Sequence, residues 1–122
     1  MNNFKPYFTD ASNRIENGFM KLEKTYAILM DTCSPDDPDA GKHVTFIHEC
    51  LNSIDEYATE ITSAISAIST TLNLFASDDE IKENASFIFY LNESVNRFNK
   101  YVPLYRKYDK IREPLENKVD IA

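Results

Sequence analysis

The most regular feature of the chain is a run of apolar residues within residues 42–77. The gaps between successive apolar positions alternate between three and four residues without interruption. This spacing places one apolar stripe along a single α-helix, as in coiled coils and helical bundles. It predicts a helix of about 35 residues and about 50 Å. The stripe consists of Val44, Ile47, Leu51, Ile54, Ala58, Ile61, Ile65, Ile68, Leu72 and Phe75.

Two further segments have the same periodicity. Residues 9–33 predict a first helix, which ends at a stretch rich in proline and aspartate, residues 34–41. Residues 78–102 predict a third helix, and Ser77 and Glu80 at its start have the spacing of a capping box. Pro103 interrupts the third stripe and suits the first turn of a shorter fourth helix.

These segments predict an all-α fold, an antiparallel helical bundle with a long central helix. Three long helices run up, down and up, and a shorter C-terminal helix closes the bundle. The length of 122 residues is typical of one domain. We therefore expect residues 1–122 to form a single helical-bundle domain.

Charge and the N-terminal sequence bear on the compartment. The formal net charge is -7, although residues 97–122 are net positive. Such an acidic protein repels nucleic acid and anionic membranes. The N-terminus lacks the pattern of a secretory signal, and the uncharged residues 61–77 are too few and too polar for a membrane span. We expect a cytoplasmic protein whose two cysteines are reduced thiols.

No residue pattern indicates catalysis or metal binding. His43 and His48 are five residues apart, so on a helix they point about 140° away from each other and cannot form a zinc pair. The sequence contains neither the Glu-x-x-His pattern of di-iron bundles nor a phosphate-binding glycine loop. We therefore predict no catalytic residue, no cofactor and no metal, and a protein that is not an enzyme.

Two stretches have more apolar or small surface than a monomeric bundle requires. Small residues surround the uncharged part of the long helix, and residues 86–91 are apolar around nearly the whole circumference of the third helix. One interpretation is that other helices of the chain bury both stretches. The other is an interface with a partner, formed by Ser63, Ser66, Thr70, Phe87, Phe89 and Tyr90.

The C-terminal segment alternates basic and aromatic residues. This pattern can bind nucleic acid through phosphates and stacked bases, or it can cover acidic helices of the same protein. Because the rest of the chain is strongly acidic, we favour pairing within the chain or with a protein partner. The candidate anion or partner contacts are Arg97, Lys100, Arg106, Lys107, Lys110, Tyr101 and Tyr105.

The leading hypothesis is a non-enzymatic protein-binding module, such as an adaptor, assembly subunit, immunity protein or inhibitor, that acts through a helical surface. Its partner is another protein or a second copy of the chain, rather than nucleic acid or a membrane. The alternative is a small nucleic-acid-associated subunit that uses the basic, tyrosine-rich C-terminal segment. An enzyme with an unrecognised acid/base pair ranks third.

Overall fold

The fold is all-α, as the apolar spacing predicts. The computed structural model describes residues 3–121, with side chains described for residues 3–114. It contains no strand in this part of the chain. A short 3-10 helix, Ala40–His43, precedes the second α-helix. The α-helices are α1 (Lys5–Thr32), α2 (Val44–Phe75), α3 (Asp78–Glu83), α4 (Ala85–Asn99) and α5 (Val102–Ile121).

The pairing of α1 with α2 is the most extensive helix contact in the described structure. Gly18 of α1 lies against Ile61 of α2, and the ammonium of Lys21 is 5.8 Å from the centre of the Tyr57 ring. The paired positions rise in α1 as they fall in α2, which is the order of an antiparallel pair. The core between the two helices consists of apolar residues that recur at gaps of three or four in α1 and of most of the α2 stripe. Those that are at most 2% exposed are Ile15, Phe19, Leu22, Tyr26, Leu29, Ile47, Leu51, Ile54 and Ile61.

The third predicted helix is in fact two helices, because the helix is interrupted at Asn84. The predicted capping box is present: the Ser77 side chain accepts from the Glu80 N–H, and the Glu80 carboxylate accepts from the Ser77 N–H. Four residues after Glu80, the Asn84 side-chain amide donates to the Glu80 carbonyl at 2.7 Å. Asparagine side chains compete with helix geometry through such local bonds. The apolar spacing continues without change across Asn84, so the sequence pattern does not indicate the interruption.

The C-terminal helix follows the direction of α4 and does not turn back across the bundle. Residues further along α1 contact residues further along α4 and α5. Both helices therefore run parallel to α1. Lys100 and Tyr101 separate the two helices. Pro103, at the start of α5, has no backbone N–H to donate a hydrogen bond to the end of α4. The contacts pair Phe87 with Phe8, Tyr101 with Tyr26 and Tyr108 with Cys33.

Candidate functional site

A polar network joins the end of α4 to α1. The Arg97 guanidinium donates to the carboxylates of Glu16 and Glu23, and the Tyr101 hydroxyl donates to Glu23 at 2.5 Å. Burial raises the pKa of Glu23, but the hydrogen bonds from Tyr101 and Arg97 and the charge of Arg97 outweigh it, so that this pKa lies below its ordinary value. Burial, together with the Glu23 carboxylate, raises the pKa of Tyr101 to about 12. Arg97 and Tyr101 are thus engaged within the chain.

A second network joins α5 to α2. The Tyr105 hydroxyl donates to Asp55 at 2.6 Å. The Arg112 guanidinium donates to Asp109 at 2.7 Å and to the Tyr105 hydroxyl at 3.1 Å, and it lies 3.8 Å from the second oxygen of Asp55. Burial and the Asp55 carboxylate raise the pKa of Tyr105 to about 12. Sequence reasoning included Arg112 in the basic segment but not among the candidate contacts, yet this residue is 6% exposed and organises the network.

The remaining basic candidates divide into two groups. Lys107 lies 3.3 Å from Asp36 in the loop after α1. The other group is exposed and makes no ion pair or hydrogen bond with any of residues 3–114. It consists of Lys100, Arg106 and Lys110. The predicted anion-contact set is therefore not one surface, because about half of it is paired with acidic residues of the same chain.

A groove of about 450 Å³ lies between α2 and the junction of α4 with α5. Apolar side chains form much of its lining, which also includes Asp55, Tyr101, Tyr105, Arg106 and Asp109. Sequence reasoning did not predict this groove, because it depends on how two helices meet. The apolar lining consists of Leu22, Tyr26, Ile54, Ala58, Phe98 and Val102.

The predicted partner interface is partly exposed. Ser63, Ser66 and Thr70 of α2 are all exposed, and Phe89 of α4 is 66% exposed. The positions of the three α2 residues place them on one side of that helix, opposite the buried stripe. Phe89 projects from a different helix, so these residues do not form one continuous stripe.

Phe87 and Tyr90 are half-buried and contact α1. The Phe87 ring stacks on Phe8 with centroids 4.1 Å apart, and the Tyr90 hydroxyl donates to Glu16 at 2.7 Å. Burial, with the hydrogen bond to Glu16, raises the pKa of Tyr90 to about 12. The structure thus assigns both residues contacts within the chain, which was the first of the two interpretations of this segment.

The end of α2 exposes two large apolar residues: Leu74, which sequence reasoning did not select, and Phe75, which it placed in the apolar stripe. Leu74 is 70% exposed and Phe75 is 64% exposed. Leu74 continues the line of Ser63, Ser66 and Thr70 at helical spacing, so the spacing itself was the available signal. We name the face formed by Ser63, Ser66, Thr70 and Leu74 the α2 outer face.

The cysteines and histidines do not gather into one site. Cys33 and Cys50 are buried free thiols, and burial raises the pKa of both. His43 is exposed just before α2, whereas His48 is half-buried within it. In the part of the chain that the structure describes, no group of three or more His, Cys, Asp and Glu side chains could hold a metal ion.

No helix of the described chain is both long enough and apolar enough to cross a membrane. A comparison of the chain with models of known protein families, with curated proteins and with solved structures finds no match.

Proposed function

We propose that the protein is a non-enzymatic protein-binding module that acts through the α2 outer face. The observation that supports this proposal is the combination of charge and exposure along α2. In a protein of net charge -7, residues 61–77 contain no charged side chain, and the exposed face of this stretch ends in Leu74. Solvated helix faces are usually charged, whereas the centres of protein interfaces are depleted in charge.

Small side chains make the α2 outer face suitable for close helix packing. Ser63, Ser66 and Thr70 would let the backbone of a partner helix approach closely, and Leu74 would supply an apolar contact. Removing a Leu side chain fully from water is favourable by about 1.5–3 kcal/mol, from which the entropy cost of association must be subtracted. The exposed Phe89 on α4 offers a second anchor of similar size.

The contacts of the C-terminal segment give less support to the alternative, a nucleic-acid-associated subunit. Stacking on bases requires free aromatic faces. The Tyr101 ring stacks on Tyr26 with centroids 4.9 Å apart, and the hydroxyls of Tyr101 and Tyr105 are bonded to carboxylates. Nucleic acid would also have to approach a strongly acidic molecule.

Replacement of Leu74 by Glu tests the proposal. Because this side chain is so exposed, Leu74→Glu should change the free energy of unfolding by less than about 0.5 kcal/mol. Ile28→Glu is a matched control, since Ile28 is 49% exposed on α1. The tagged parent, Leu74→Glu, Phe89→Glu and Ile28→Glu would be used to capture partners from the native host, and light scattering would measure self-association.

We expect the parent and Ile28→Glu to retain the same partner or the same dimer mass, and Leu74→Glu to lose it. Phe89→Glu reports separately on the second anchor. If Leu74→Glu behaves as the control does in both measurements, the α2 outer face is not the interface. Loss of binding in all variants equally would also count against it.

A further inference from the structure

Two local features of the sequence produce the groove between α2 and the α4–α5 junction. The helix is interrupted between Asn99 and Val102, so the wall on that side comes from two separate helices. On the facing side, Ala58 occupies a stripe position that isoleucine occupies one turn earlier and one turn later, at Ile54 and Ile61. Its small side chain leaves space that a larger residue would fill.

Arg106 is the charged residue of the groove lining that has no partner among the described side chains. Asp55 accepts from Tyr105 and Asp109 accepts from Arg112, so both carboxylates already have donors. Arg106 also lines the groove, is exposed, and makes no ion pair or hydrogen bond with any of residues 3–114. Arg106 is therefore the cation of the lining that a ligand can pair with, whereas the carboxylates of Asp55 and Asp109 are engaged within the chain.

We propose that this groove binds a small amphipathic anion, whose apolar body lies over Tyr26 and Phe98 and whose acidic group pairs with Arg106. Its volume of about 450 Å³ falls within the range of small-molecule sites, which are mostly apolar and have a few polar groups that fix orientation. The proposal is independent of the protein-binding function, because the groove and the α2 outer face are different surfaces.

Two fluorescent probes with the same aromatic body test the class of ligand. Anilinonaphthalene sulfonate carries an anionic group, and phenylnaphthylamine lacks it. Both are titrated into the full-length protein, and the fluorescence increase gives the dissociation constant and the stoichiometry. We expect saturable binding of the sulfonate at one site per chain, tighter than the binding of the neutral probe.

Variants of the groove separate the contribution of charge from that of shape. Arg106→Gln should weaken sulfonate binding roughly fivefold, as expected for one exposed ion pair, and leave the neutral probe unchanged. Lys110→Gln, which removes a neighbouring exposed cation outside the lining, is the control. Ala58→Phe fills the groove and should weaken both probes by roughly tenfold or more.

Val102→Phe fills the groove from the opposite wall, and it replaces Ala58→Phe if that variant fails to fold by circular dichroism. The proposal is overturned if the parent shows no saturable sulfonate binding, or if a folded groove-filling variant binds both probes as the parent does. Equal effects of Arg106→Gln and Lys110→Gln on sulfonate binding would overturn the anionic class of the ligand.

Discussion

The replacement of Gly18 by Ala tests how closely α1 approaches α2. In the middle of a helix Ala is normally more stable than Gly, by about 0.8–1.0 kcal/mol. At this position, however, an added Cβ would lie 2.5 Å from Cγ1 and 3.2 Å from Cδ1 of Ile61, which is fully buried. Carbon atoms pack best at about 3.5–4.0 Å, so the shorter of these distances is about 1 Å too small.

Neither way of relieving this contact is free of cost. Ile61 is β-branched and has one strongly preferred rotamer in a helix, and leaving it costs about 0.5–1.5 kcal/mol. Alternatively the helices separate, which loosens the core around Gly18, and overpacking of this kind costs about 1–3 kcal/mol. Overpacking near the middle of that range, less the gain in helix propensity, gives an expected destabilisation of about 1 kcal/mol for Gly18→Ala.

Chemical denaturation measures this change in the free energy of unfolding. The same substitution made in an Ile61→Ala variant tests whether the contact with Ile61 is the cause. In Ile61→Ala the clashing atoms are absent, so adding Gly18→Ala should now stabilise the protein by up to about 1 kcal/mol. Gly41→Ala is the control, since no atom lies within 4 Å of its added Cβ. The reasoning is refuted if Gly18→Ala stabilises the parent, or if its effect has the same sign in both backgrounds.

Two further predictions concern contacts of the C-terminal half. Tyr108→Phe removes the buried hydrogen bond of 2.6 Å to the Cys33 carbonyl and should cost about 1–2 kcal/mol in thermal unfolding, whereas Tyr7→Phe at an exposed position should cost almost nothing. Arg97→Met should cost at most about 1 kcal/mol at neutral pH, since the pair is partly exposed. Because the pKa of Glu23 is lowered, that difference should shrink as the pH falls from about 5 to about 3; a constant difference would contradict the assignment.

The sequence predicts the long helix well because its stripe is complete. Ile61 and Ile68 are buried as expected, Ile65 is half-buried, and Phe75 at the end of the stripe is exposed. The capping box at Ser77 forms with both of its hydrogen bonds. These features depend on residues close together in the chain. Local spacing and local hydrogen bonding are therefore sufficient to define them.

The sequence does not predict features that depend on how the helices are oriented and which side chains they bring into contact. The break at Asn84 leaves the apolar stripe intact, and Pro103 marks a helix start without specifying the direction of α5. The charge asymmetry favoured pairing of the C-terminal segment within the chain, but it could not assign Arg97 to Glu23 or Tyr105 to Asp55. Those pairs, and the groove beside them, are set by three-dimensional packing.

The uneven burial along the chain has a consequence for how the native protein opens. α3 contributes no buried residue, and α4 contributes only Leu91 and Ser94, whereas most of the buried core belongs to α1 and α2. Segments with few buried contacts open at lower free energy than the core and exchange their amide hydrogens sooner. Residues 78–99 should therefore form a separate unit of hydrogen exchange, one that opens while α1 and α2 stay folded.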